Sequence, residues 1–108
     1  MVELGSDGGA QLDADIQPRP GGPVVRLRGE LDLSSVDALA DLIGPLIEST
    51  PDRLVFDLED LSFMDSSGLA LLLRSAARVG TVVLRRPSTI VRRVLDTTGV
   101  SEVMKIEP

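Results

Sequence analysis

The chain has 108 residues, enough for one domain, a net charge of −6, and neither cysteine nor histidine. Those two absences exclude disulfides, thiol catalysis, cysteine- or imidazole-ligated metal sites and every serine–histidine–aspartate triad. The acidic balance argues against general affinity for nucleic-acid phosphates, and no Gly-rich loop matches a phosphate-binding fingerprint.

An enzyme is therefore the disfavoured class and a protein-binding module the favoured one. Carboxylates alone can hold magnesium or calcium, but no dense acidic loop of the EF-hand kind is present. Hydrophobic residues make up 43% of the chain, with Phe56 and Phe63 the only aromatic ones, so the core must be aliphatic. No apolar run approaches the roughly 18 residues of a membrane span. The opening MVELGSDGGA lacks the basic start and apolar stretch of a signal peptide, so a cytoplasmic location is expected. Charge is unevenly spread: residues 1–65 hold 14 acids and 4 bases, residues 66–108 only 3 acids and 7 bases. Most of this reads as solvated surface; its functional reading is an acidic docking face for a basic partner.

Residues 1–9 are polar and Gly-rich and read as a flexible N-terminal segment, with one domain over 10–108. Residues 11–17 alternate apolar and polar as a half-exposed strand does. Arg19-Pro20-Gly21-Gly22-Pro23 is turn punctuation, and Val24 to Leu31 alternates again, so the two segments form an opening hairpin. Ser34 and Asp37 have a capping-box spacing, which predicts a helix starting at Ser34. Leu39, Leu42, Ile43, Leu46 and Ile47 give that helix a buried stripe, and Pro45 predicts a kink or an early end near residue 44. Leu54 to Leu58 reads as a central strand ended by Glu59-Asp60.

A second helix is expected from Ser66 or Ser67, with Leu69, Leu72, Leu73 and Ala76 on its inner face. Thr81 to Leu84 is a further short strand. Ser88 to Leu95 is a third helix with Ile90, Val91, Val94 and Leu95 inward, and Gly99 suits its C-terminal cap. Val103 to Ile106 adds a last strand. The alternation predicts an α/β domain with a mixed central sheet of about four to five strands and three or more helices.

The informative segment joins the central strand to the second helix: Leu61-Ser62-Phe63-Met64-Asp65-Ser66-Ser67-Gly68-Leu69. Such a loop lies at the carboxyl end of a strand, where open α/β sheets present binding sites. Its serines stand at a helix N-terminus, whose free N–H groups and positive dipole end favour an anion. Helix capping alone also explains Asp-Ser-Ser-Gly, since Asp and Ser are preferred N-caps. Gly68 would let a partner approach the backbone, and Phe63 and Met64 are candidate apolar anchors, with burial an equal expectation for Phe63. Arg85-Arg86 and Arg92-Arg93 read as solvated faces rather than a nucleic-acid patch.

Gly29-Glu30-Leu31-Asp32, then Leu58 through Leu69, then Ser88 through Gly99, in that order, resemble the STAS family, and within it the free-standing bacterial anti-sigma factor antagonists. The resemblance spans about residues 10–107. It implies a protein that binds an anti-sigma factor of the serine protein kinase type and so releases a sigma factor. It further implies that the kinase phosphorylates the serine after the motif aspartate, here Ser66, that the modified protein lets go, and that a serine phosphatase resets it. The implied partner surface takes in Asp32, Met64, Asp65, Ser67, Gly68 and Leu69. No cofactor is implied, since ATP and magnesium belong to the kinase, and neither direct nucleic-acid binding nor membrane insertion is expected. STAS-like domains also serve as soluble subunits or adaptors of membrane transport systems, which is the alternative reading. The 76–80 connection is several residues shorter than the family pattern, and the final helix of many members is missing.

Overall fold

The computed structural model describes residues 2–4 and 11–108. The elements run in the order β1 (Val2–Leu4), β2 (Leu12–Gln17), β3 (Val24–Leu31), α1 (Val36–Glu48), β4 (Arg53–Met64), α2 (Ser66–Ala76), β5 (Thr81–Arg85), α3 (Thr89–Thr98) and β6 (Lys105–Glu107), with a 3-10 turn at Val100–Glu102 before β6. The strands form one sheet in chain order. The first three are antiparallel and the last four parallel; a short turn joins β2 to β3, and helical crossovers join the parallel strands.

The expected mixed α/β sheet with three helices is what forms, with six strands in place of four to five. The extra strand is β1, which adds to the edge at β2 and buries Leu4. It falls in the segment expected to be loose, the rest of which lies outside the described residues.

The buried residues of all three helices share one apolar cluster with alternate strand residues such as Val25, Leu27, Leu54, Phe56, Val82 and Leu84, so the helices cover a single face. The opposite face holds a separate buried row, Val24, Val55 and Val83, which are neighbours in register. Two residues along each strand the register aligns Asp15, Arg26, Asp57, Arg85 and Glu107, charges that alternate in sign across five strands. Opposite charges facing across strands stabilise pairing. Ion pairs from Arg85 to Glu107 and from Arg86 to Asp57 and Glu59 form around this row, so the Arg85-Arg86 motif is structural.

Several boundaries differ from the sequence expectations, each for a local reason. Helix α1 begins at Val36 with Ser35, not Ser34, at its N-cap. The Asp32 carboxylate takes the backbone N–H and hydroxyl of Ser34, at 2.9 and 2.6 Å, and this turn keeps Ser34 outside the helix. Pro45 does not end α1, which continues to Glu48. The carbonyl it leaves without a helix partner belongs to exposed Asp41, while Leu39, Ile43 and Ile47 remain anchored in the core. Strand β4 does not stop at Glu59-Asp60 but runs on to Met64, because irregularities in its pairing with β3 put those two acids outward while Leu61 and Met64 return to the core. On α2, Leu71 is buried and Leu73 is exposed; on α3, Val91 and Leu95 face inward and Ile90 is 56% exposed. Val103 lies outside β6, on the exposed side of the 3-10 turn.

Gly44 occupies the middle of α1, where glycine is about 0.8–1 kcal/mol worse than alanine. A Cβ built there meets nothing within 4 Å. Gly44 precedes Pro45, whose ring crowds a Cβ on the preceding helical residue and offsets that gain, so Gly44→Ala is expected to shift the urea midpoint by less than about 1 kcal/mol of stability at unchanged slope.

Candidate functional site

Strands β3 and β4 end side by side, with Leu31 opposite Met64 in the parallel register. The chain beyond each strand enters a helix, so two turns, residues 32–35 and residue 65, meet at the carboxyl edge of the sheet. Asp65 joins them. Its backbone N–H donates to the Leu31 carbonyl at 3.2 Å. Its Oδ2 accepts from the Leu33 N–H at 3.2 Å, across 32 residues of sequence. Its Oδ1 accepts from the backbone N–H of Ser67 at 2.9 Å and of Gly68 at 3.2 Å, and from the Ser67 hydroxyl at 2.5 Å. Asp65 is thus the N-cap of α2 and, at the same time, the tie that holds the β3–α1 turn against it.

This bonding fixes the charge of Asp65. Partial burial pushes its carboxyl up, but the donors from Ser67, Gly68 and Leu33 together hold it below its ordinary value. The site therefore carries a firmly ionised carboxylate at a helix start.

The facing turn is equally tied. Besides the Asp32–Ser34 bonds, buried Ser35 accepts from the Asp32 N–H at 3.2 Å and donates to the Glu30 carbonyl at 3.2 Å. Ser62 donates to the Gly29 carbonyl at 2.9 Å, closing the β3–β4 ladder just below. Gly29 has a φ of +105°, and a Cβ there would meet the Gln11 carbonyl oxygen at 2.3 Å, so only glycine passes at this bend.

Each residue singled out in the sequence has a defined place. Ser66 is the first residue of α2 and exposed, and its hydroxyl makes no hydrogen bond among the described residues. Its neighbour Ser67 is tied to Asp65. Asp32 and Asp65 are both partly exposed on the facing turns. Met64 is 1% exposed and Leu69 7%, so their side chains support the site from the core. The close approach expected at Gly68 is internal: Gly68 is buried, and an added Cβ would lie 2.7 Å from Leu31 Cγ and 3.0 Å from Met64 Cγ. Phe63 is 41% exposed, pointing out of β4 rather than under α2.

Two residues of the site went unread in the sequence. Leu33, 77% exposed, is displayed on the turn that Asp65 clamps. Ser35 is the buried hinge of that turn. The signal for Leu33 was a lone apolar residue inside the polar run Asp32-Leu33-Ser34-Ser35.

Comparison with known proteins agrees with this geometry. The STAS domain family model matches residues 11–108. The chain is 36% identical over 86 residues to the anti-sigma F factor antagonist of Lysinibacillus sphaericus, covering 75% of this chain and 74% of that one. Among solved structures, an anti-sigma factor antagonist from Mycobacterium paratuberculosis superposes with a TM-score of 0.81 at 27% identity, covering 97% of this chain and 91% of that one. The Bacillus cell fate determinant SpoIIAA in its phosphorylated form gives 0.69 at 29% identity, covering 87% and 90%. Among the described residues no helix is long and apolar enough to cross a membrane.

Because the Asp65 carboxyl is depressed in the fold, its contribution to stability is fully present above the unfolded carboxylate value and is lost as pH falls through the lower folded value. Urea titrations across acidic pH are expected to show a flatter stability profile for Asp65→Asn than for the wild type. At neutral pH, Asp65→Ala is expected to cost about 1–2 kcal/mol as a lost N-cap.

The family model over 98 of 108 residues, the six-stranded mixed sheet and the Asp65-Ser66 turn at its carboxyl edge carry one conclusion: this chain belongs to the STAS domain family.

Proposed function

We propose that this protein is an anti-sigma factor antagonist: a binding module, not an enzyme, that engages an anti-sigma factor of the serine kinase type through the Asp32–Asp65 edge and is switched off by phosphorylation of Ser66. The observation that supports this best is the unequal state of two adjacent serines. Ser67 is held by Asp65 on both its N–H and its hydroxyl, whereas Ser66 is exposed with a free hydroxyl among the described residues. A kinase needs an accessible hydroxyl on a well-placed backbone, and only Ser66 of the pair offers one. The names of two relatives cited above, the anti-sigma factor antagonists of Lysinibacillus sphaericus and Mycobacterium paratuberculosis, point the same way.

Phosphorylation at this position acts on the surface rather than on the fold. The added group brings about −1.5 to −2 charges at pH 7. A helix N-terminus would normally absorb such charge through its free N–H groups. Here the N–H groups of Ser67 and Gly68 already serve Asp65, and that of Leu69 bonds the Asp65 carbonyl. The phosphate is therefore left in solvent beside two carboxylates, Asp65 and, on the facing turn, Asp32. It makes the contact edge strongly negative and strongly hydrated, which opposes docking of a partner that fits the unmodified edge. ATP and magnesium reside on the kinase, and a serine phosphatase resets the switch.

Incubation with anti-sigma kinases and ATP, followed by mass spectrometry, is expected to show one added phosphate on Ser66 that is absent in Ser66→Ala. A kinase that binds the chain stably yet never modifies it would reject the switch and move an adaptor role in a transport system to the front. Ser66→Asp is expected to keep the wild-type circular dichroism spectrum while losing the partner; loss of secondary structure would contradict a surface mechanism.

A further inference from the structure

The turn after β3 displays a side chain that the fold does not use. Leu33 is 77% exposed, more than any other large apolar residue among those described, Val103 following at 60% and Ile90 at 56%. We propose that Leu33 is the apolar anchor of the Ser66 edge, and that it enters an apolar pocket with a basic rim on the anti-sigma kinase. This inference rests on the antagonist reading and adds the chemistry of the partner surface.

A single surface leucine is ordinary in itself. What distinguishes this one is the rigidity of its turn. All five backbone N–H groups from Asp32 to Val36 have acceptors: Asp32 donates to the Ser35 hydroxyl, Leu33 to Asp65 Oδ2, Ser34 to Asp32 Oδ1, and Ser35 and Val36 to the Asp32 carbonyl. Four of these bonds stay within the turn, and the bond from Leu33 alone crosses to the Asp65-Ser66 segment. The fold thus takes from residue 33 only its N–H, which any residue except proline supplies. Its leucine side chain stands in solvent on a backbone that is ordered before a partner arrives. Burying it costs little more than its own rotamer freedom.

The charge around Leu33 selects the rim of the pocket. The two stretches that build this edge, residues 29–37 and 61–69, contain Glu30, Asp32, Asp37 and Asp65 and neither Lys nor Arg. All four carboxylates are at least partly exposed. A neutral or acidic rim closing over Leu33 would strip water from these groups and leave them unpaired, whereas a basic rim replaces the lost hydration. The same field connects the anchor to the switch. A phosphate on Ser66, next to the Asp65 that holds Leu33, would keep water at the mouth of the pocket and oppose burial of the leucine.

The test measures Kd and the kinetics of Ser66 phosphorylation with the same anti-sigma kinases, starting from the wild-type chain. With a kinase that modifies the wild type, Leu33→Ala is expected to raise Kd and KM by about tenfold or more at unchanged kcat, the lower end of what burial of a whole leucine brings. Leu33→Met is expected to restore most of the affinity. Val103→Ala, near β6 and three strands from β3, is expected to change neither constant. Wild-type binding is expected to weaken with added salt; Glu30→Gln with Asp37→Asn flattens that dependence, and Leu33→Ala leaves it as steep. Urea midpoints at the wild-type value verify that the Leu33 side chain does nothing for the fold. Wild-type Kd and KM in Leu33→Ala would overturn the anchor and leave the antagonist reading standing, and a salt-independent wild-type Kd would overturn the basic rim. A wild-type chain that no anti-sigma kinase binds would overturn both.

Discussion

One carboxylate organises the functional edge of this molecule. Asp65 accepts four hydrogen bonds from two separate stretches of chain, three of them from the first turn of α2 and one from Leu33 beyond β3. Capping a helix is worth about 1 kcal/mol in general. This cap does more, since the bond to Leu33 fixes where the end of β3 lies relative to the start of α2. The close contact of Gly68 with Leu31 and Met64 then locks the helix onto the same two strand ends. The edge is consequently built before any partner arrives, and the conformational entropy of ordering its turns is not charged to binding.

That arrangement also explains how a modification can act at a helix start without rebuilding it. A first-turn serine with free N–H groups nearby would draw its phosphate inward and reshape the turn. With Asp65 already occupying those donors, a phosphate on Ser66 would add charge and hydration outside and leave the framework beneath it as it is. The uncovered face of the sheet is separately stabilised by its alternating row of charges.

Much of this was legible in the sequence because it rests on local patterns. The strand before Asp65, the helix after it, the Gly99 cap and the alternating β2–β3 hairpin each follow from periodicity and from one or two special residues. What was not legible depends on contacts distant in sequence. The continuation of β4 through Glu59-Asp60 requires the bulged register with β3. The start of α1 at Val36 requires the Asp32 side chain to take Ser34 out of the helix, in competition with the capping box that the spacing suggested. Leu33 went unread because its role arises from the bond to Asp65. Gly68 was read as room for a partner, whereas the room is filled from within by Leu31 and Met64; nothing in the motif itself distinguishes the two.

The account stands most directly on the claim that Ser66 is a surface switch on a fixed framework. Amide spectra of the 15N-labelled chain, unmodified and phosphorylated at Ser66, measure this at every residue. The account predicts shifts confined to residues 31–35 and 64–69, with the amides of β2, β5, α3 and the interior of α1 unmoved. Shifts spreading through the sheet and α1 would contradict it, since the phosphate would then act by displacing Asp65 from its cap and rearranging the fold.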